Sequence, residues 1–352
     1  MCMHCTRRQF IGAGAVGGMA LAAGHWAAAS DASSPPSAPD SKVRICVVIA
    51  GEPAGRSWGL SEADLAPMMK RLAQAEKNLG NVEFVIGQAS TAEQTAQLLD
   101  KAGPDAPVLA VSADIFGLSN FMMPTIFKQG RPVAVFHMPI IGGHDWCLVN
   151  PWREEGHPIT LFNSSDYDEL ERAASLLRVI PLLQRSRVLV SPPFKGTPES
   201  HTPEKVKQRL GVEMVAIADR RYDEVMANVD DRAAKAEAKR WLDEAEGTVE
   251  PNQEDVLKAA RASLTLDQLI AENRIDGLCV GTCMGWLSRG FSCLGFSRLN
   301  DRGIPAACDG DMDCLLTMLI FQHALNRAGF LGNAGGVDTA KNAFHLSHCS
   351  AR

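Results

Sequence analysis

Short apolar segments alternate with longer helix-forming segments along most of this chain. The runs VRICVVIAG (43–51), APVLAVSA (106–113) and PVAVFHM (132–138) are mostly apolar, and helix formers with regularly spaced apolar residues lie between them, as in 61–78. Strands that are apolar on both faces and separated by helices predict a parallel sheet covered by helices on both sides. The alternation therefore predicts an α/β fold.

The segment 143–160 (GHDWCLVNPWREEGHPIT) is rich in Gly, Pro and Trp and interrupts this alternation. Beyond it, strand and helix signals resume and continue to the apolar run IPAAC at 304–308 and the helix-forming segment that follows. We therefore expect two consecutive Rossmann-like parallel-sheet units. The first α/β domain is placed at 43–155 and the second at 156–352.

The N-terminus combines paired arginines with a short apolar run. Arg7 and Arg8 precede the apolar stretch from Phe10 to about Gly24, and the small residues Ala27–Ala29 follow. A charged start, a short apolar middle and an A-x-A site are typical of a cleavable signal peptide. The paired arginines resemble those of the twin-arginine (Tat) class. The apolar run is shorter than the ~20 residues that span a bilayer.

We therefore predict a Tat signal peptide at 1–30, followed by a disordered linker at 31–42 that is rich in Ser and Pro. The Tat translocase carries its cargo folded, so the protein is expected to be periplasmic or secreted. An uncleaved signal would leave it tethered to the membrane.

Composition excludes some partners and leaves the state of the thiols open. The net charge is -6 and no basic stripe is present, which argues against nucleic-acid binding. Ten cysteines occur, two of them in the signal peptide. Of the others, several lie in apolar strands and are expected to be buried thiols, although an exported protein could also pair them. Cys279 and Cys283 have a C-x3-C spacing without a matching second pair, which is weak support for zinc.

The glycine-rich loop after the first strand reads GEPAGRSWG. It has neither the G-x-G-x-x-G spacing of a dinucleotide site nor the Lys-Ser/Thr of a phosphate loop. Loops at the carboxyl ends of strands still line the crevice where open α/β sheets bind ligands. Arg56 and Trp58 are therefore candidate substrate-binding residues, with an ordinary turn as the alternative.

Acidic residues cluster where the last apolar strand meets a helix, in CDGDMDCLLTML (308–319). One interpretation is that Asp309 caps that helix and Asp313 lies in its first turn, because the helix dipole stabilises carboxylates at the N-terminus. Three carboxylates at the carboxyl edge of a sheet also suit a divalent cation. His348 follows near the end of the chain, in NAFHLSHC.

These segments resemble the L-fucose/L-arabinose isomerase superfamily. The family has a C-E-x-D-x(5)-T-M-L motif after a Leu-Asn-Asp-x-Gly-hydrophobic-Pro strand, and then an N-x(5)-H-C motif. Here LNDRGIPAACDGDMDCLLTML and NAFHLSHC occur in the same order.

The resemblance implies a metal-dependent aldose–ketose isomerase, which moves a proton between C1 and C2 of a sugar through an ene-diol. It implies Mn²⁺ or a similar divalent metal, a small-molecule carbohydrate as partner, and a homo-oligomer. Carried over by motif, Asp311 and His348 are the metal ligands. Asp309, in place of the family's Glu, and Asp311 are the catalytic residues.

The sequence departs from the family in two places. Trp286 stands where the family has its second catalytic Glu, and 277–300 contains no acidic residue. A Trp can stack on a sugar but cannot carry a proton. The family also continues into a β-rich C-terminal domain, so a shortened relative or an interrupted reading frame is expected. Three outcomes stay open: an active isomerase (an intramolecular oxidoreductase), a catalytically impaired carbohydrate-binding relative, or a periplasmic solute-binding-type protein.

Overall fold

A computed structural model of the chain describes residues 42–51, 61–113, 116–138, 144–281 and 289–350. The Tat signal with Arg7 and Arg8, nearly all of the linker, and the candidate residues Arg56, Trp58 and Trp286 lie outside the described residues. The described part falls in one compact unit, Pro36–Arg352. No helix within these ranges is long and apolar enough to cross a membrane.

The first half of the described chain alternates strands and helices, as the sequence predicts. The strands are β1 (Val43–Ala50), β2 (Val82–Ala89), β3 (Val108–Ser112), β4 (Val133–His137) and β5 (Ile159–Asn163). The helices are α1 (Glu62–Leu79), α2 (Ala92–Ala102), α3 (Met123–Lys128), α4 (Val149–Glu154), α5 (Asp168–Leu177) and α6 (Val179–Arg185). A short π-helical turn (Leu118–Met122) precedes α3, and a 3₁₀ turn (Asp145–Leu148) precedes α4.

The five strands form one parallel sheet in the order β2-β1-β3-β4-β5. Its two faces are separate cores: Val47 and Val111 lie on one face, and Val48 and Ala110 on the other. This explains why the strands are apolar without alternation. The chain reverses its direction of winding between β1 and β3, and in such sheets ligands bind outside the carboxyl ends of the strands at that switch point.

The first unit extends beyond the predicted boundary at residue 155. Strand β5 pairs with β4 in parallel register, with Asn163 beside His137. Helix α5 packs against α1 and β4. The described part of this Gly- and Pro-rich segment, from residue 144 on, is therefore a helical crossover that returns the chain to the first sheet. Its composition indicates a break in regular structure, but only strand pairing decides which sheet the following strand joins.

The second half repeats the α/β pattern on a smaller scale. The strands are β6 (Arg187–Ser191), β7 (Glu213–Ala216), β8 (Gly277–Val280) and β9 (Ala306–Ala307). The helices are α7 (Pro203–Leu210), α8 (Asp219–Ala227), α9 (Asp231–Glu244), α10 (Gln253–Asn273), α11 (Cys293–Asp301) and α12 (Met312–Leu325). The four strands form a second parallel sheet in the order β7-β6-β8-β9, with its switch point between β6 and β8.

After α12 the chain forms an antiparallel hairpin, β10 (Asn333–Asp338) and β11 (Ala343–Ser347). Both strands are exposed along their whole length. His345 lies in β11, and His348 directly follows it. The prediction of an α/β fold with parallel sheets flanked by helices is confirmed.

One buried cation joins the two halves. Arg178 lies between α5 and α6 and is 1% exposed. Its Nη1 donates to Leu79 O at 3.2 Å and to Asn81 Oδ1 at 2.7 Å. Its Nη2 donates to Ala324 O at 3.3 Å and to Asn326 Oδ1 at 2.9 Å. The guanidinium thus caps the C-termini of α1 and α12, where helix dipoles favour positive charge.

Candidate functional site

The loops that follow β6 and β9 meet at the carboxyl edge of the second sheet. Lys195 N–H donates to Gly310 O at 2.8 Å, and Met312 N–H donates to Lys195 O at 3.2 Å. Gly310 N–H in turn donates to Val280 O at 2.8 Å, at the end of β8. Three chain segments are therefore fixed to one another by backbone hydrogen bonds beside the β6/β8 switch point.

Gly310 is required by this close approach. Its φ is +73°, and a Cβ there would lie 2.2 Å from Pro193 O. Because the obstacle is a backbone atom, no side-chain rotation relieves the clash. The glycine between Asp309 and Asp311 thus lets the β9 loop lie directly against the β6 loop.

Asp309 forms an ion pair with Lys195 at this edge. Its backbone is left-handed, with φ +62°, and both side chains are substantially exposed, 57% for Lys195 and 42% for Asp309. An exposed pair of this kind contributes only about 0–1 kcal/mol to folding. The pair lies at the rim of the sheet edge, where it presents one hydrogen-bond donor and one acceptor to solvent.

Asp311 and Asp313 are both engaged in holding the loop and the helix. Asp311 is the N-cap of α12, and its Oδ1 accepts from Cys314 N–H at 2.8 Å. The Asp313 carboxylate accepts from Thr197 N–H at 2.8 Å and from the Thr197 hydroxyl at 2.9 Å. Burial opposes ionisation of Asp313, but hydrogen bonds from Ser200 and Thr197 outweigh it and lower the pKa below its usual value. Helix capping is thus present in the structure with Asp313 in the first turn, but the cap is Asp311, whereas the sequence predicted Asp309.

Thiols surround the base of this edge. Burial raises the pKa of Cys279, and burial with the neighbouring Asp311 raises that of Cys314 to about 11. None of the seven described cysteines is in a disulfide. Cys46, Cys279 and Cys308 are buried as the apolar strands predict, whereas Cys147 and Cys349 are exposed.

His348 lies after β11, half-buried, with Nδ1 3.0 Å from Ser350 Oγ. Among the described residues, which include Asp309, Asp311 and His348, no group of three His, Cys, Asp or Glu side chains is arranged to hold a metal ion. The structure brings Asp309 and Asp311 together on one loop and does not bring His348 into a metal-binding group with them.

Sequence reasoning missed Lys195 and Thr197. Both follow the apolar strand RVLVS, just as Asp309 follows the apolar strand IPAAC. Their position after the end of a strand could have indicated them as site residues. Their contacts with the Asp309–Asp313 segment join positions more than 110 residues apart, 114 for Lys195 with Asp309 and 116 for Thr197 with Asp313.

A polar row that the sequence reasoning also missed crosses the carboxyl edge of the first sheet. Ser112, His137 and Asn163 are the last residues of adjacent strands and stand in register. His137 Nδ1 lies 3.0 Å from Asn163 Oδ1. The other ring nitrogen of His137 and the Ser112 hydroxyl are buried without a hydrogen-bond partner. The shared signal is a polar residue that ends an apolar strand.

Comparison with known proteins does not indicate a family for this chain. No family model matches the chain, and no curated protein matches it.

Proposed function

We propose that this chain is an exported relative of the L-fucose/L-arabinose isomerases that binds a carbohydrate at the carboxyl edge of its second sheet. On this proposal the two parallel-sheet units are of that family's N-terminal and central type. The observation that carries the proposal is the Lys195–Asp309 pair beside the β6/β8 switch point. Crevices at switch points are the usual ligand sites of open α/β sheets.

The chemistry of the pair suits a sugar. A hydroxyl group is both a donor and an acceptor, so one hydroxyl can accept from the Lys195 ammonium and donate to the Asp309 carboxylate. Hydrogen bonds to charged groups contribute about 1.5–3 kcal/mol each. Trp286, which follows β8 in the sequence, supplies by residue type alone an aromatic face on which a sugar can stack.

The residues as placed do not fit a divalent metal. Two carboxylates and an imidazole have suitable donor chemistry, but Asp309 is paired with Lys195, Asp311 caps α12, and His348 contacts Ser350. The proposal therefore rests on direct binding by side chains. Isomerisation also needs a base able to move a proton, and Trp286 stands where the family has its second catalytic Glu, so we favour binding over turnover.

The test is a titration of the purified protein with L-fucose, L-arabinose and related aldoses by isothermal calorimetry, with and without Mn²⁺. We expect binding without added metal, and a Kd at least about tenfold weaker in Lys195→Met, since the loss of one charged hydrogen bond is equivalent to about 1.5 kcal/mol or more. Lys239→Met is the matched control, because Lys239 forms an exposed ion pair with Asp243 on the surface helix α9.

Three results would overturn the proposal. Unchanged affinity in Lys195→Met would place the ligand elsewhere, as in a solute-binding-type protein. If none of the aldoses binds, the proposal that the ligand is a carbohydrate is wrong. Formation of ketose in the presence of Mn²⁺ would show an active metal-dependent isomerase instead.

A further inference from the structure

Two thiols at the C-terminal end of the described chain are in direct contact. Cys293 is the first residue of α11, and Cys349 follows β11. Their sulfur atoms are 3.4 Å apart although the residues are 56 positions apart in sequence. Cys293 is half-buried and Cys349 is exposed. Tertiary structure, not local sequence, brings these two sulfurs together.

The two cysteines lie where the C-terminal hairpin meets the rest of the fold. Strands β10 and β11 are exposed along their whole length, so the hairpin itself contributes little to the core. Its ends are where burial resumes: Leu331 before the hairpin is 8% exposed and Ser350 after it is 3% exposed. A covalent bond at Cys349 would therefore fasten the hairpin to the body at its C-terminal end.

We propose that Cys293 and Cys349 are a redox site that forms a disulfide in an oxidising compartment and joins the C-terminal hairpin to α11. A disulfide needs its sulfurs about 2.05 Å apart. Because one cysteine is exposed and the other half-buried, rotation of their side chains can bring the two sulfurs from 3.4 Å to bonding distance without moving a strand of either parallel sheet.

The oxidant is a small or protein disulfide, and the step is thiol–disulfide exchange. The exposed Cys349, as thiolate, attacks one sulfur of the oxidant, forming a mixed disulfide and releasing one thiolate that takes up a proton. Cys293, after losing its proton, then attacks the Cys349 sulfur and releases the second thiol. The two protein thiols lose two electrons and two protons in total, and the oxidant is reduced to two thiols.

The bond closes a long loop and holds His348 beside it. Cross-linking distant residues reduces the conformational entropy of the unfolded chain, and the effect grows with loop length. The oxidised protein is therefore expected to unfold several degrees higher than the reduced protein. The inference does not depend on the proposed sugar site and is tested without a sugar.

The test uses the full chain, equilibrated in glutathione buffers from fully reduced to fully oxidised, blocked with a maleimide, and digested with trypsin without reduction. Trypsin releases 290–298 and 342–352, each with a single cysteine, so their cross-link is unambiguous by mass spectrometry. We expect this species in oxidised buffer and its loss on reduction.

Variants separate the cross-link from general oxidation. Cys293→Ser should show glutathione attached at Cys349 and no rise in melting temperature on oxidation. Cys147→Ser, which removes another exposed thiol, should behave as the wild type. If oxidised buffer yields only glutathione adducts in the wild type, or joins Cys349 to a different cysteine, or raises the melting temperature equally in Cys293→Ser, the proposal is overturned.

Discussion

Replacing Arg178 by methionine tests whether one cation joins the two halves of the fold. Methionine keeps much of the side-chain volume and removes every donor. Leu79 O and Ala324 O then lose a charged donor, as do the side-chain oxygens of Asn81 and Asn326. Each backbone carbonyl loses about 1.5–3 kcal/mol, and each partly buried amide oxygen, which water can reach, loses about 1 kcal/mol. The gross loss is about 6 kcal/mol.

Part of this loss is offset because the variant no longer buries a charge. Burial lowers the pKa of Arg178 to about 10, and the carboxylate of Glu171 only partly opposes that shift. At 1.36 kcal/mol per pKa unit, removing the buried charge returns about 3 kcal/mol. The net destabilisation of Arg178→Met is therefore about 3 kcal/mol, equivalent to a fall of about 5 °C in Tm for a folded region of this size.

The measurement is urea unfolding followed by circular dichroism, with Arg220→Met as the control. Arg220 forms an exposed i,i+4 pair with Glu224 and is 90% exposed, so its loss should change the free energy of unfolding by less than about 0.5 kcal/mol. Near-equal stability of Arg178→Met and wild type would show that the burial of the charge outweighs its hydrogen bonds. The capping argument would then be wrong.

Three further predictions concern other parts of the chain. Burial, followed by the charge of a nearby arginine, lowers the pKa of His323 from 6.5 to about 4. The unfolded state therefore binds the extra proton, so stability is full above pH 6.5 and falls as pH drops to about 4. The loss in the free energy of unfolding is about 2 kcal/mol, allowing for partial exposure of the ring. Urea titrations at several pH values should show this fall in the wild type and its absence in His323→Gln. Gly310→Ala should destabilise by more than about 2 kcal/mol because its Cβ would strike a backbone oxygen, whereas Gly130→Ala, at φ +63° with nothing within 4 Å, should cost only about 1 kcal/mol; equal losses in thermal melts would contradict the close approach. Replacing Arg7 and Arg8 by lysine should retain the protein in the cytoplasm, and cell fractionation showing unchanged export would remove the Tat assignment.

The candidate site was predictable only in part. The acidic loop Asp309–Asp313 was visible as carboxylates between a strand and a helix, because strand ends and helix caps are local features. The roles of its members were not visible, since Lys195 and Thr197 approach from another strand. The expected partner of Asp311, His348, is placed after an exposed hairpin that the sequence did not predict, because strands without a buried face have no apolar alternation to indicate them.

The sequence by itself determined the α/β class, the order of most strands and helices, and the carboxyl edges where ligands are expected. These follow from apolar periodicity and composition, which act within about ten residues. Only the tertiary structure decided that β5 joins the first sheet, that Arg178 caps two helices, and that Cys293 meets Cys349. Each of those depends on contacts between distant segments, and their energies come from burial and from the satisfaction of buried polar groups, which no local pattern encodes.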